Sequence, residues 1–346
     1  MSEKQENQPA QRPTSRDVAR LAGVSQSTVS LVFAGKAEGR VTPERREQIL
    51  QAAQTLGYRP NSSARGLKLG TQKLLALGVP NVSNPYFASV LKSIIVSAAA
   101  NGYATVLINT GEYGNDPERL LLSLDAHAFD GMIFWEASWA ARALEILPRS
   151  VVVVDGDSAR DADVFIPSDV IVREMVDHLA TLGHTRIARV GFDLEANTFR
   201  VRSRAYREGL QAHGLAYDAR CEIELPFGET SSAAIEALLR APDRPTAFIC
   251  DDDLLAPLVY RAAVRTGLKI GESVSVVGIG DIELASLLEP PLTTMAIPTQ
   301  SLGESAVEIF LRKRAGQRSK VSTVQTRLIL RNSTGPCPNQ VVDAAF

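Results

Sequence analysis

Seven short apolar runs punctuate the chain beyond Thr71: LLALGVP (74–80), ATVLIN (104–109), GMIFW (131–135), VVVVD (151–155), RIARVG (186–191), TAFIC (246–250) and VSVVG (274–278). Longer amphipathic stretches separate them. Strands that are apolar on both faces and alternate with helices belong to parallel sheets covered on both sides. The expected body is therefore an α/β structure of two doubly wound lobes. Ligands of such sheets bind beyond the carboxyl ends of the strands, at topological switch points. Tyr86 and Phe87 follow the first run, Asn109 the second, Trp135 the third, Asp155 the fourth, and Asp251, Asp252 and Asp253 follow TAFIC. Aromatic faces stack on sugar rings, and carboxylates with a guanidinium fix hydroxyls.

Before this body comes a stretch of different character. Val18, Leu21 and Ala22 have helical spacing before Gly23, and Val29, Val32 and Phe33 resume it afterwards. Gly23 suits the turn that ends the first helix, and Ser25 is placed to cap the second. Thr42-Pro43-Glu44 opens a third helix that buries Ile49, Ala52, Ala53 and Leu56 and stops at Gly57. The pattern is a helix-turn-helix, although small bundles with polar faces can share it. Charge sharpens the reading. Residues 1–72 carry 11 basic and 6 acidic side chains, a net +5, and the remainder is −7. A basic head on an acidic body suits a polyanion, or else is a solvated surface. In the DNA-binding reading the second helix enters the major groove, where Gln26 and Ser27 read base edges and Thr28 and Ser30 reach phosphates.

Other classes find little support. Gly278-Ile279-Gly280 lacks the third glycine of a dinucleotide fingerprint, since Glu283 occupies that place, and no P-loop, HExxH or GxSxG is present. No catalytic residue, cofactor or metal site is expected. His178 and His184 read as structural, as do Cys221, Cys250 and Cys337, an odd number with no CxxC pair. Apolar runs are too short for a membrane-crossing helix, and Met1 to Pro13 reads as a disordered leader rather than a signal peptide. A cytoplasmic location is expected. After an enzyme, the second rival is a solute-binding protein with the same two-lobed body, but it would need export and would have no use for the head.

The order AGVS, TVS, LGY, PN, AR, L from Ala22 to Leu67 resembles the lactose-repressor (LacI-type) family of regulators. The resemblance continues through GVPNVSNPYFASVL, HLATLGHTRIARVG, VSVVGIGD and EPPLTTM, covering Thr14 to about Thr334. It implies a periplasmic-binding-protein-like body and a dimeric regulator, usually a repressor, that reads a pseudo-palindromic operator in double-stranded DNA. It also implies a small-molecule effector between the lobes, with a neutral saccharide or polyol as the expected class. An activator or corepressor-dependent sensor is the alternative sign of regulation.

The DNA-binding residues so implied are Thr14, Ser25, Gln26, Ser27, Thr28, Ser30 and Leu31 in the head, and Asn61, Ala64 and Leu67 in a hinge helix. Leu67 would wedge into the minor groove. Leu31 departs from the family, which often has arginine there. Tyr86 and Phe87 are expected effector residues from their place after a strand, and the resemblance adds Asp155, Asp252 and, as central anchor, Arg200, with Trp135 and Asp281 at fitting positions. A further departure is Gly280 before Asp281, where the family often has an acidic residue. The expected division is a leader (1–13), head (14–58), hinge (59–72), effector and dimerisation body (73–334) and tail (335–346). Within the body, lobe 1 takes about 73–166 and 299–322, and lobe 2 about 168–297 and 323–334, with crossings near Pro167, Pro298 and Ser322. No leucine heptads follow Asn332, so a dimer is expected.

Overall fold

The computed structural model describes residues 13–58, 71–113, 119, 121, 128–135, 141–143, 145, 150–155, 160–194 and 196–338. Two compact units divide at Gln72. The first is the three-helix head: α1 (Ser15–Leu21), α2 (Gln26–Phe33) and α3 (Pro43–Thr55). The Asp17 carboxylate accepts from the Thr14 backbone N–H and hydroxyl at 2.9 and 2.7 Å, which fixes the start of α1. Ser25 accepts from the Thr28 N–H at the start of α2, and Thr42 from the Arg45 N–H ahead of Pro43 in α3. Gly23 between α1 and α2 has φ +62°, as the sequence requires of that turn. Val18, Ala19, Val29, Val32, Ile49, Ala52 and Ala53 form the core, and Tyr58 closes it with its ring edge-on to Phe33 at 5.5 Å. Leu21, expected inside, is 55% exposed. The hinge residues Asn61, Ala64 and Leu67 lie outside the described residues.

In the second unit, one sheet has the order β2 (Ala104–Asn109), β1 (Leu74–Val79), β3 (Gly131–Phe134), β4 (Ser150–Val153), all parallel. Helices α4 (Pro85–Ala100) and α10 (Thr299–Arg314) pack together on it. Their approach depends on Gly303, where a Cβ would stand 2.6 Å from the Ser93 side chain. So α10, late in the chain, belongs with the first sheet.

The other sheet has the order β12 (Arg327–Ile329), β10 (Thr293–Ala296), β9 (Ser275–Gly280), β8 (Ala247–Cys250), β6 (Ile187–Phe192), β7 (Glu222–Leu225). All its pairs are parallel except β12 against β10, so this lobe carries an antiparallel edge on the expected parallel sheet. Ile187 and Ile249 face α5 (Ser168–Thr181) and α6 (Asn197–Ala212), while Ala188, Val190, Phe248 and Cys250 face α7 (Ala233–Leu239) and α8 (Ala256–Arg265). This alternation is the doubly wound arrangement. A short parallel pair, β5 (Val164–Phe165) with β11 (Ser322–Thr323), joins two of the segments that link the sheets.

Strands β7 (EIEL) and β10 (TTMA) do not stand out as apolar runs, because each buries polar groups that find partners. Thr293 donates its backbone N–H to Ser333 Oγ, and the Thr294 hydroxyl donates to Asp253 at 2.6 Å. Gly335 and Cys337, at the start of the segment set apart as the tail, pack on the second lobe. The Cys337 N–H donates to the Leu182 carbonyl, and the Gly335 carbonyl lies 3.1 Å from the ring of buried His184. His184 also meets Thr246 and Ser275 at 2.9 Å, a structural role. The three cysteines are buried and unbridged. No helix among the described residues is long and apolar enough to cross a membrane.

Candidate effector cleft and DNA-reading helix

Asn84 follows β1 and caps α4 by accepting from the Tyr86 N–H at 2.9 Å. The cap sets Tyr86 and Phe87 in the first turn, edge to face at 5.2 Å, and Phe87 meets Trp135, just beyond β3, at 5.6 Å. Past β4, Asp155 sits at φ +57°, a left-handed conformation that short polar side chains tolerate best. There it accepts from the Thr198 hydroxyl at 2.8 Å, in the first turn of α6. Asp252, beyond β8, accepts from Asn84 Nδ2 at 2.9 Å and from the Leu254 N–H. These two contacts, Asp155 with Thr198 and Asp252 with Asn84, each tie the first sheet's lobe to the second's.

The guanidinium at this place is Arg202, not Arg200. Arg202 is buried and donates through Nη1 to the Asp251 carbonyl. Its charge, with those of Asp155 and Asp252, acts on the Tyr86 hydroxyl. Arg200 points the other way, is exposed, and donates to Asn197 at 3.2 Å. The two residues are roughly 200° apart on a helix of 3.6 residues per turn, so only one can face the cleft. A signal in the sequence would have found it: Arg202 is in helical register with Ala205, Tyr206, Gly209 and Leu210, the buried stripe of α6.

Arg202 is held from behind by a buried ion network. Arg189 is wholly buried on β6; it pairs with the Asp251 carboxylate through Nε and Nη2, and with Glu222 at 2.9 Å. Burial works against the charge of Arg189, but Asp251 and Glu222 overcome it and hold its pKa above the usual value. Asp251 is thus gripped by Arg189 at its side chain and by Arg202 at its carbonyl.

Burial raises the Asp252 carboxyl above the ordinary range, partly offset by its bonds from Leu254 and Asn84. Asp252 is also the cap of the short helical turn that follows it. Asp253 instead lies buried across the sheet end, accepting from the Ile282 N–H at 3.0 Å and from Thr294. Gly278 leaves room for it; a Cβ there would come within 2.1 Å of Asp253 Oδ1. Burial pushes Asp253 up to about 7. Asp281, at φ +53°, accepts from Arg331 at 2.6 Å and borders a cavity beside Tyr86 rather than joining Arg202.

Among the described residues, Arg202 Nε is buried here without a hydrogen-bond partner, and the neighbouring Tyr86 Oη and Trp135 Nε1 are buried with no partner besides each other. Each such atom costs about 1–3 kcal/mol when left unsatisfied. Their convergence between aromatic rings and carboxylates is the chemistry of a hydroxyl-rich ligand site.

In the head, Gln26, Ser27 and Ser30 are exposed on α2, and Leu31 and Thr28 half-buried. Gln26 donates to Ser15 Oγ at 2.9 Å, while Ser25 lies 2.7 and 2.8 Å from the Ser27 and Thr28 hydroxyls. The N-terminal turn of α2 therefore offers one ordered polar edge.

Residues 14–61 match the bacterial regulatory proteins of the lacI family, and residues 176–334 the periplasmic binding protein-like domain. The ribose operon repressor of Escherichia coli (strain K12) is 31% identical over 314 residues, spanning 87% of this chain and 92% of its own. Among solved structures, the lac repressor dimer bound to operator and the anti-inducer ONPF superposes with a TM-score of 0.79 at 26% identity, covering 94% of this chain and 100% of that one. The complex of the transcriptional regulator CelR with cellobiose gives 0.65 at 27% identity, over 93% and 100%. The chain belongs to the lacI family of bacterial regulatory proteins: a transcription regulator with a helix-turn-helix head and a two-lobed periplasmic-binding-protein-like body.

Proposed function

We propose that this chain is a cytoplasmic repressor that grips a pseudo-palindromic operator as a homodimer, and that a neutral saccharide or polyol in the cleft sets its affinity for DNA. The observation that carries the effector half is the convergence of the buried Tyr86 Oη, Trp135 Nε1 and unpartnered Arg202 Nε with Asp155 and Asp252. Two carboxylates against one guanidinium disfavour a phosphorylated ligand. Relatives point the same way: one is named a ribose operon repressor and another was solved with cellobiose. Arg202 is the proposed anchor, Asp155 and Asp252 accept from hydroxyls, and Phe87 and Trp135 supply stacking faces.

The ligand acts through the lobes. Groups from both lobes meet at Asp155–Thr198 and Asn84–Asp252, so a ligand that replaces or reinforces those bonds shifts the lobe equilibrium. For the DNA half, Gln26 and Ser27 read bases and Ser25, Thr28 and Ser30 hold phosphates. A dimer face is supported by Ile95 and Val96 on α4 and by Val106 and Leu107 on edge strand β2, all exposed and apolar. The test is effector titration of an operator complex with Arg202→Met and Arg200→Ala. The proposal requires loss of response in the first and retention in the second, and the reverse pattern would refute it.

A further inference from the structure

We propose a second small-molecule site on this chain: a pocket on the outer face of the second lobe, built from arginines of α6, that takes a hydroxylated phosphate monoester. Arg200, Arg204 and Arg207 recur at i, i+4 and i+7, so they share one face of α6, with Arg202 and the cleft on the other. They line a cavity of about 540 Å³, closed by Ser203 and Phe199 of the same helix, Asp193 at the end of β6 and Glu224 on β7. Small-molecule sites occupy roughly 300–1,000 Å³, so this one has room for an organic phosphate.

Arginines on an exposed helix face are ordinarily a solvated surface paired with nearby carboxylates. Here those carboxylates are engaged elsewhere. Glu222 accepts from Arg207 Nε at 2.9 Å and also from Ser203, Tyr217 and the buried Arg189. Glu208 is divided between Arg204 at 3.7 Å and Arg173 at 3.5 Å. Glu224 pairs with Arg189 at 3.5 Å. Arg200 meets no carboxylate among the described residues; its contact is Asn197 Oδ1 at 3.2 Å. Arg200 and Arg204, one turn apart, therefore present two weakly engaged guanidinium forks to one space. A phosphate monoester carries close to two charges and three terminal oxygens, so both forks can bind the same group, which a single carboxylate would not satisfy.

The walls are set in advance. The wholly buried Arg189 donates to the Phe199 carbonyl at 3.3 Å and pairs with Glu224, so two sides of the pocket hang on one fixed guanidinium. Phe199, edge-on to Phe192 at 5.8 Å, adds an apolar wall. Phe199 and Arg200 belong to the first turn of α6, where Ala196 at the N-cap offers no side-chain acceptor, and the positive end of the helix adds to the attraction for an anion. Asp193 opposes it. That carboxylate is exposed and makes no ion pair among the described residues, so it repels a bare anion but accepts from hydroxyls carried on the same ligand. Asp193 and the apolar wall together favour a hydroxylated organic phosphate over inorganic phosphate. The assignment does not depend on what the cleft binds.

The experiment is isothermal titration of the full-length protein, in phosphate-free buffer at constant ionic strength, with inorganic phosphate, methyl phosphate, glycerol 3-phosphate and glucose 6-phosphate. Variants are Arg200→Ala, Arg204→Ala, Asp193→Asn, Arg202→Met and Arg240→Ala, which removes an exposed positive charge beyond α7 on the same lobe, each checked for a cooperative melting curve. At least one of the two hydroxylated esters should bind one to one with a Kd below about 1 mM, several-fold more tightly than methyl or inorganic phosphate. Arg200→Ala and Arg204→Ala should each weaken it about tenfold, and Asp193→Asn should remove its advantage over methyl phosphate. Arg240→Ala and Arg202→Met should leave its Kd within about threefold. Failure of both esters to bind overturns the proposal, as does binding that survives both arginine changes. Binding lost equally in Arg240→Ala would mark diffuse charge, and binding lost only in Arg202→Met would place the ester in the cleft; either result overturns the outer site.

Discussion

Asp253→Asn should change the sign of a stability difference across the pH scale. The Asp253 carboxyl rises from an ordinary 3.8 to about 7, chiefly through burial, with Asp252 and Asp281 adding repulsion. At roughly 1.4 kcal/mol per pH unit, that gap is worth up to ~4 kcal/mol. The direction follows from proton counting. Below about pH 4 both folded and unfolded chains carry the proton. Between there and about 7 only the folded chain keeps it, so stability falls as pH rises, and above 7 the full cost of a buried carboxylate is present. Asparagine has no such titration and can still accept from the Ile282 N–H while its amide donates to the Thr294 hydroxyl. Urea unfolding of both proteins from pH 4.5 to 8 should show wild type equal or superior at the acid end. The variant should gain steadily, by up to ~4 kcal/mol, towards pH 8. A stability difference that is constant across the range would refute the assignment of a raised carboxyl to this site.

Further expectations follow from the same geometry. Ser25→Ala removes the cap of α2 and should cost about 1 kcal/mol of head stability in thermal melts. Gln26→Ala should relax base preference at one position of each half-site, by about 1–3 kcal/mol in competition binding, without changing the salt slope. Gly78→Ala would place a Cβ 2.2 Å from the Phe134 ring and should destabilise the first lobe by about 1–3 kcal/mol in chemical unfolding. Leu107→Glu on edge strand β2 should shift the protein towards monomer in sedimentation velocity and weaken operator binding in parallel.

The parts of the fold that were legible share one property: their side chains declare their surroundings. Strands buried on both faces are dominated by apolar residues, so β1, β3, β6, β8 and β9 stand out, even though β6 also buries Arg189. Ser25, Thr42 and Gly23 announce helix ends because their backbone roles admit few residue types, whereas the Thr14 cap of α1 was not read from the sequence. Strand β10 was hidden, since Thr293 and Thr294 are buried only because Ser333, Arg331 and Asp253 come from distant sequence to satisfy them. The candidate site was legible as positions after strands, which gathered Tyr86, Phe87, Trp135, Asp155 and Asp252 in one place. Choosing between Arg200 and Arg202 needed the helical phase of α6 rather than motif position. Asn84, Thr198 and the Arg189–Asp251 pair depend on contacts across the sheets, which no local pattern encodes.

The most direct test of the account is a two-step measurement on one sample. Duplexes are selected from a randomised pool by the full-length protein, and the recovered duplex is then titrated with saccharides while its binding to wild type and to Arg202→Met is followed by anisotropy. The account predicts a pseudo-palindrome of two half-sites, a saccharide that changes the wild-type operator affinity, and a variant that holds the same duplex but ignores the sugar. Recovery of no enriched duplex, or an Arg202→Met protein that responds to sugar as the wild type does, would contradict it.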